Sequence, residues 1–239
     1  MSALKGRALF EAGRLQEAIT SLGDELRSDP TDTQRRTFLF ELLCFAGEFE
    51  RAEKQLDVLA RSNPDARMGA LLYHSALHAA RIRRDMFASG ELPRGADPGP
   101  VRGTLNGEPF ESLTDADPRI GGRLEVFAAG QYTWIPFAQI ASMQMEPPRR
   151  LRDLLWAPAR IRTGPDYRDA ELGEVLIPAV APLSFRHEDP DVRLGRRTVA
   201  ATVDGHDVLL GGRMLLVDDE LFPILELRDL QVHPAGSGD

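Results

Sequence analysis

LTDADPRIGGRLEVFAAGQYTWIPF, residues 113–137, places an Asp-x-Asp, an arginine, a double glycine and a Tyr-x-Trp-x-Pro-Phe within 25 residues. Asp115-Ala116-Asp117-Pro118 is turn chemistry, because a residue before proline is pushed out of the helical region and short acidic side chains bond nearby backbone N–H groups. Gly121-Gly122 permits a sharp change of direction. Leu124 and Val126, then Tyr132 and Trp134, alternate as on two strands, with Ala128-Ala129-Gly130-Gln131 turning between them. The stretch therefore opens a β-rich region. Downstream, Val175-Leu176-Ile177 is a short buried run. Thr198 to Val203 and Val208 to Leu210 flank an Asp204-Gly205 hairpin signal, and Arg213 to Val217 and Glu220 to Leu227 flank Asp218-Asp219. A short helix fits Arg150 to Trp156, Pro223 marks an edge or bulge, and the tail 234–239 is small, polar and expected to fray.

Upstream the pattern is helical and repeated. Ala12-Gly13-Arg14-Leu15-Gln16-Glu17-Ala18 lies over Ala46-Gly47-Glu48-Phe49-Glu50-Arg51-Ala52 at an offset of 34 residues, which also aligns Leu9 with Leu43, Leu22 with Leu56 and Pro30 with Pro64. That is the period of a tetratricopeptide helix–turn–helix unit. Leu15, Ala18, Ile19, Leu22 and Leu26 form one helical stripe, and Phe49, Ala52, Leu56 and Leu59 another. Thr31-x-x-Gln34 reads as a capping box for the third helix. After Pro64 a third stripe (Met68, Leu71, Leu72, Ala79, Ile82, Met86) lacks the turn glycine, which predicts one long closing helix. From Gly90 to Pro109 nine of twenty residues are Gly or Pro, predicting an irregular connection. The expected fold is α+β: tetratricopeptide-like helices over 1–89, a connection over 90–109, a β-rich domain over 110–233 and a tail over 234–239. Two repeats and a helix bury little alone, so the two halves are expected to pack together.

With 239 residues, 42% hydrophobic and 28% charged, the composition is that of a soluble globular protein. No run of 18 apolar residues and no signal-peptide core occurs, and the single cysteine, Cys44, fits a reducing compartment. The expected location is cytoplasmic. Net charge is −8, and seven of those charges fall after residue 92. An acidic surface without clustered Lys and Arg argues against nucleic acid or an anionic membrane as the partner.

Several blocks resemble the ImpE/TagJ family of type VI secretion accessory proteins: residues 113–137, RTFLFELLCFAGEFERAEKQL at 36–56, LRDLLWAPA at 151–159, LIP at 176–178 and LGRRT at 194–198. They recur in the family's order. The resemblance implies a cytoplasmic, non-enzymatic accessory without cofactors. It would engage the N-terminal helix of the small contractile-sheath subunit and so link to the ClpV-type ATPase that disassembles the sheath.

Candidate chemistry is sparse. Asp115 and Asp117, with Glu125, are the ligands of an alternative reading as a metal-dependent enzyme, since hard cations take carboxylate oxygens. The competing expectation is a turn in which the aspartates cap backbone groups and one pairs with Arg119. His74 and His78 have helical metal-ligand spacing, but Ser75 stands where a metalloprotease needs glutamate. His187-Glu188-Asp189 has no nucleophile beside it, and Cys44 between Leu43 and Phe45 reads as a buried, inert thiol. Gly121-Gly122 and Gly211-Gly212 lack the Lys-Ser/Thr of a phosphate loop. Stacked helix pairs instead offer a groove for a helix or peptide. Phe38, Glu41, Leu42 and Phe45 on the inner helix of the second unit are candidate partner-binding residues, Glu41 foremost because some of the others must be core. Tyr132 and Trp134 on the strand pair are candidates set against the leading expectation of a core pair.

Overall fold

The computed structural model describes residues 5–62, 64–93, 95–164 and 172–233. Five helices come first: α1 (Lys5–Glu11), α2 (Leu15–Ser28), α3 (Thr33–Phe45), α4 (Phe49–Ser62) and α5 (Pro64–Ser89). The predicted stripes hold in the two repeats, where Leu15, Ala18, Ile19, Leu22, Leu26, Phe49, Ala52 and Leu56 are all buried. Gly13 and Gly47, at equivalent turns, take φ of 75° and 71°, the left-handed backbone that favours glycine. The third helix is capped differently from the capping box. Asp32 is the N-cap and accepts from the Arg35 N–H at 2.8 Å, while the Thr31 hydroxyl turns back to Asp29. A carboxylate at the cap position outcompetes the hydroxyl one residue earlier.

The closing helix α5 forms as expected but buries only part of the predicted stripe. Ala70, Ala76, Leu77, Ala79, Ala80 and Phe87 are buried, whereas Leu71 is 64% and Leu72 51% exposed and Ile82 is also exposed. The helix packs against α4 on one side and the sheet on the other, and two close approaches select its alanines.

The strands are β1 (Val101–Leu105), β2 (Glu108–Asp115), β3 (Arg123–Ala128), β4 (Gln131–Pro136), β5 (Ile140–Met145), β6 (Trp156–Thr163) and β7 (Gly173–Pro178). After one helical turn, α6 (Pro190–Arg193), come β8 (Val199–Val203), β9 (His206–Leu210), β10 (Met214–Val217), β11 (Glu220–Pro223) and β12 (Asp229–Val232). Ten of them form one antiparallel sheet in the order β11-β10-β2-β1-β12-β5-β6-β7-β3-β4, and β8–β9 is a separate ribbon. The hairpins at 128–131, 204–205 and 218–219 form where turn residues predict them, and Pro223 lies on the edge strand. Leu151–Leu154 is a single 3-10 turn.

The sheet begins earlier than expected. β1 lies inside the supposed irregular connection 90–109, and β1 and β2 are joined by Asn106-Gly107 with φ of 51° and 91°. That dipeptide is itself a hairpin signal, hidden among the surrounding glycines and prolines. The tail 234–239 lies outside the described residues.

Two large clusters carry the packing. One face of the sheet encloses Leu113, Val126, Ile135, Phe137, Met143, Ile161, Ile177, Leu215 and Leu230 with no contribution from an α-helix among the described residues. The other cluster joins the repeats to the sheet, adding Phe127, Leu155, Trp156, Leu176 and Leu194 to the helical core. Helices and sheet therefore share a core, as the small size of the repeat array requires.

Candidate functional site

The carboxylates singled out in the sequence sit at the seam between α5 and the sheet. Asp115, at the end of β2, accepts the Asp117 N–H at 2.8 Å and the Arg213 guanidinium at 2.6 and 2.8 Å. Glu125 on β3 is gripped by both guanidinium arms of Arg83 from α5, at 2.7 and 2.8 Å, and lies 3.4 Å from Arg213. The Tyr132 hydroxyl donates to Glu125, and the Trp134 indole N–H donates to the Tyr132 oxygen. Arg83 and Arg213 each spend a further N–H on a carbonyl, of Val180 and Pro178. Two cations and two anions thus make a neutral, hydrogen-bonded cluster. Burial pushes Glu125 upward, but Arg83 and Arg213 prevail and hold it at about 2. Burial raises Asp115 to about 6 against the pull of Arg213.

Asp117 points elsewhere. It accepts the Arg119 backbone N–H at 3.0 Å and the Arg119 guanidinium at 2.7 Å, and that guanidinium lies 4.9 Å from the centre of the Phe87 ring on α5. The turn expectation, with one aspartate paired to Arg119, describes these residues. The metal-dependent alternative asks Asp115, Asp117 and Glu125 to converge on an ion, yet each is engaged by a guanidinium and a cation would face Arg83 and Arg213 at the same oxygens. Among the described residues no group of three or more His, Cys, Asp or Glu side chains is gathered for a metal. His74 faces Asp57 and Glu53 of α4 at 3.4 and 3.9 Å, while His78 is exposed.

Tyr132 and Trp134 form the core pair, not a partner surface. Tyr132 meets Phe127 edge-on at 5.8 Å and Trp134 lies 5.9 Å from Phe87, because half-buried rings need partners for both their faces and their polar tips.

On the inner face of the repeats the correction is to Glu41, the foremost candidate, which is buried rather than exposed. Leu42 and Phe45 are core. The chain's own second half fills the groove in front of them. Tyr73 stacks on Trp156 at 6.5 Å and carries Arg152 over its ring at 4.5 Å. A Cβ at Gly47 would stand 2.5 Å from the Phe185 ring. Arg196 donates to the Phe10 carbonyl at 3.1 Å. Only Phe38 stays half-open, edge-on to Phe10 at 5.5 Å. Cys44 is buried, and burial raises its thiol well above the ordinary value.

Glu41 has a measurable consequence. Burial lifts its carboxyl to about 7, opposed by Arg152 and Arg150 and assisted by Asp153. A folded value above the unfolded one means that folding takes up a proton, so this stabilisation is complete below the ordinary glutamate value and is lost as pH rises through about 7. Glu41→Gln is expected to raise the unfolding free energy by about 1–3 kcal/mol at pH 8, with the gain shrinking toward pH 5. Urea titrations at both pH values check this; an equal effect at both would show that Glu41 does not change charge between them.

What remains open is a groove of about 720 Å³ on the other side of the Leu151–Leu154 turn. The wall is α5, through Leu72, Tyr73 and Ala76, and the floor is the sheet beside it, where Pro158, Arg160 and Glu174 are exposed and Phe127 and Leu176 are buried. Two rows of side chains cross that floor. Pro158 pairs with Leu176 and Leu176 with Phe127, an apolar row over β6, β7 and β3. Two residues along the strands, Asp229, Gln144, Arg160 and Glu174 pair in turn over β12, β5, β6 and β7, a polar row. Of these residues the sequence reading singled out none as partner-binding, because it shows alternation along a strand but not which strands lie side by side.

Comparison with known proteins agrees with both halves. A tetratricopeptide repeat profile matches residues 9–72. The chain is 29% identical over 266 aligned positions to the type VI secretion system accessory component TagJ of Pseudomonas aeruginosa, covering 97% of this chain and 92% of that one. The crystal structure of protein VPA1032 from Vibrio parahaemolyticus superposes with a TM-score of 0.81 at 25% identity, over 96% of this chain and 97% of the other. The profile of the ImpE protein family matches residues 107–231, more than half of the chain, which belongs to that family.

Proposed function

We propose that this chain works in the cytoplasm as a non-enzymatic accessory of a type VI secretion machine, binding the N-terminal helix of the small contractile-sheath subunit and thereby bringing the sheath to its ClpV-type ATPase. The observation that carries the reading is the open groove between α5 and the sheet, with Leu72 and Pro158 exposed in it and polar groups along one side. Such a surface suits an amphipathic helix, whose anchors at i, i+3, i+4 and i+7 fill a hydrophobic trough. Similarity to TagJ over nearly the whole chain supports the setting. The buried charges support the absence of covalent chemistry, since they neutralise one another away from the groove. Among the described residues no helix is long and apolar enough to cross a membrane.

The test is a calorimetric titration with the sheath subunit's N-terminal helix peptide, paired with co-purification of sheath subunit lacking that helix. Saturable binding with a negative heat-capacity change, and loss of co-purification on truncation, are expected. Undiminished co-purification of the truncated subunit would sink the proposal.

A further inference from the structure

We infer that the helix ligand docks in the groove between α5 and the sheet beside it, not in the concave face of the repeats, and that it carries basic residues along one flank of its apolar stripe. The inference rests on the adaptor reading and adds to it the place and the chemistry of the contact.

The place follows from what is already occupied. The inner face of the repeats is packed by Trp156, Arg152, Phe185 and Arg196 of the same chain, so a partner entering there would have to displace a shared core. The groove leaves that core in place, since Leu176 and Phe127 at its bottom already belong to it and are buried. The contact surface is the rim above them, where Pro158 on β6 and Leu72 on α5 are exposed. A sheet with one face packed and the other half-covered by a helix completes its second layer when another helix lies beside the first.

The charge follows from the two rows. A helix resting its apolar stripe on exposed Pro158 and Leu72 sets one flank over Asp229, Gln144, Arg160 and Glu174. Glu146 and Asp153 add two more carboxylates to the lining, against Arg160 and Arg228. Arg160 and Glu174 pair at 3.2 Å, Glu146 faces Arg149 at 3.3 Å, and Arg228 donates to the carbonyls of Leu225 and Leu227 at 2.8 and 2.7 Å. Among the described residues Asp153 and Asp229 are thus the lining carboxylates held by amide N–H groups and by no guanidinium. The excess is negative, and it matches the acidic balance of the chain's second half. A basic flank gains from it and an acidic flank is rejected.

The probe is the sheath subunit's N-terminal helix peptide, titrated into the full chain. Leu72→Glu and Pro158→Glu change exposed positions and are expected to fold as the parent does, with unchanged thermal unfolding. Each is expected to weaken the peptide at least about tenfold. Glu146→Lys combined with Glu174→Gln is expected to weaken it several-fold and to flatten its dependence on salt, as loss of a charge contact does. Ile82→Glu, exposed on α5 outside the groove, leaves affinity unchanged. If the parent protein does not bind the peptide, the adaptor reading itself fails. If the parent binds and Leu72→Glu and Pro158→Glu bind equally well, the adaptor reading stands and the groove assignment is overturned. If the apolar variants lose binding but the charge variant does not, the basic flank is wrong and the place is right.

Discussion

Glu125→Ala is expected to lower the unfolding free energy by about 3–5 kcal/mol, the cost of leaving buried cations without their counter-ion. Glu125 has no solvent exposure, and it is the anion shared by Arg83 from the helices and Arg213 from the sheet. Removing it leaves two guanidiniums facing Asp115 alone and strips the Tyr132 hydroxyl of its acceptor. Because Arg83 belongs to α5, the damage falls on the union of the two halves, and amides of α5 and β3 should lose protection together in hydrogen exchange. Acid gives the same reading with the opposite manipulation. The Arg83 and Arg213 guanidiniums hold Glu125 at about 2, below its unfolded value, so its contribution is complete above the ordinary glutamate range and is lost as pH falls through about 2. The alanine variant should therefore show a shallower loss of stability than the parent in that window. A loss under about 1 kcal/mol at neutral pH would place the cluster with solvated surface pairs and remove its structural role.

That cluster also marks where sequence reading stops. The repeats are legible because 34-residue self-similarity and helical periodicity are local, and the hairpins at 129–130, 204–205 and 218–219 are legible because turn chemistry is local too. Arg83 sits in Arg81-Ile82-Arg83-Arg84, which reads as a solvated helix face, and its partner lies 42 positions away. Arg213 finds Asp115 98 positions away. No spacing rule announces such pairs; only the register of the folded sheet creates them. The misread stripe of α5 has a related cause. Periodicity finds an apolar face, but a helix with two neighbours buries the face with the smallest side chains and leaves Leu71 and Leu72 outside. Asn106-Gly107 was legible in principle, and composition counted over a long window concealed it.

The blocks through which the chain resembles its family have a physical counterpart in this arrangement. LRDLLW at 151–156 and LGRRT at 194–198 supply Arg152, Trp156, Leu194 and Arg196, the residues that reach the inner helices of the repeats. Their shared feature is contact between halves. A repeat array of this length cannot close its own core, and the sheet closes it from the concave side. The groove that most repeat proteins offer to a ligand is filled here by the chain's own second half.

Trp156→Ala is expected to cost about 3–5 kcal/mol, the usual range for emptying a buried aromatic site. Its ring is buried, stacks on Tyr73 of α5 at 6.5 Å and contributes to the core that joins helices to sheet. It also borders the groove. The chain holds two tryptophans, so in the variant Trp134 alone reports fluorescence, from the charge cluster on the sheet side. Urea unfolding followed by Trp134 emission and by helical circular dichroism is expected to move to lower urea in both signals. The helical signal should move further, because Tyr73 and Arg152 lose their support while the Arg83–Glu125 pair persists. Trp156→Phe retains a ring against Tyr73 and is expected to recover most of the loss. Coincident, barely shifted transitions in Trp156→Ala would mean that the repeats hold their shape without the sheet. The concave face would then be free to open, and the reason for placing the ligand beside α5 would go with it.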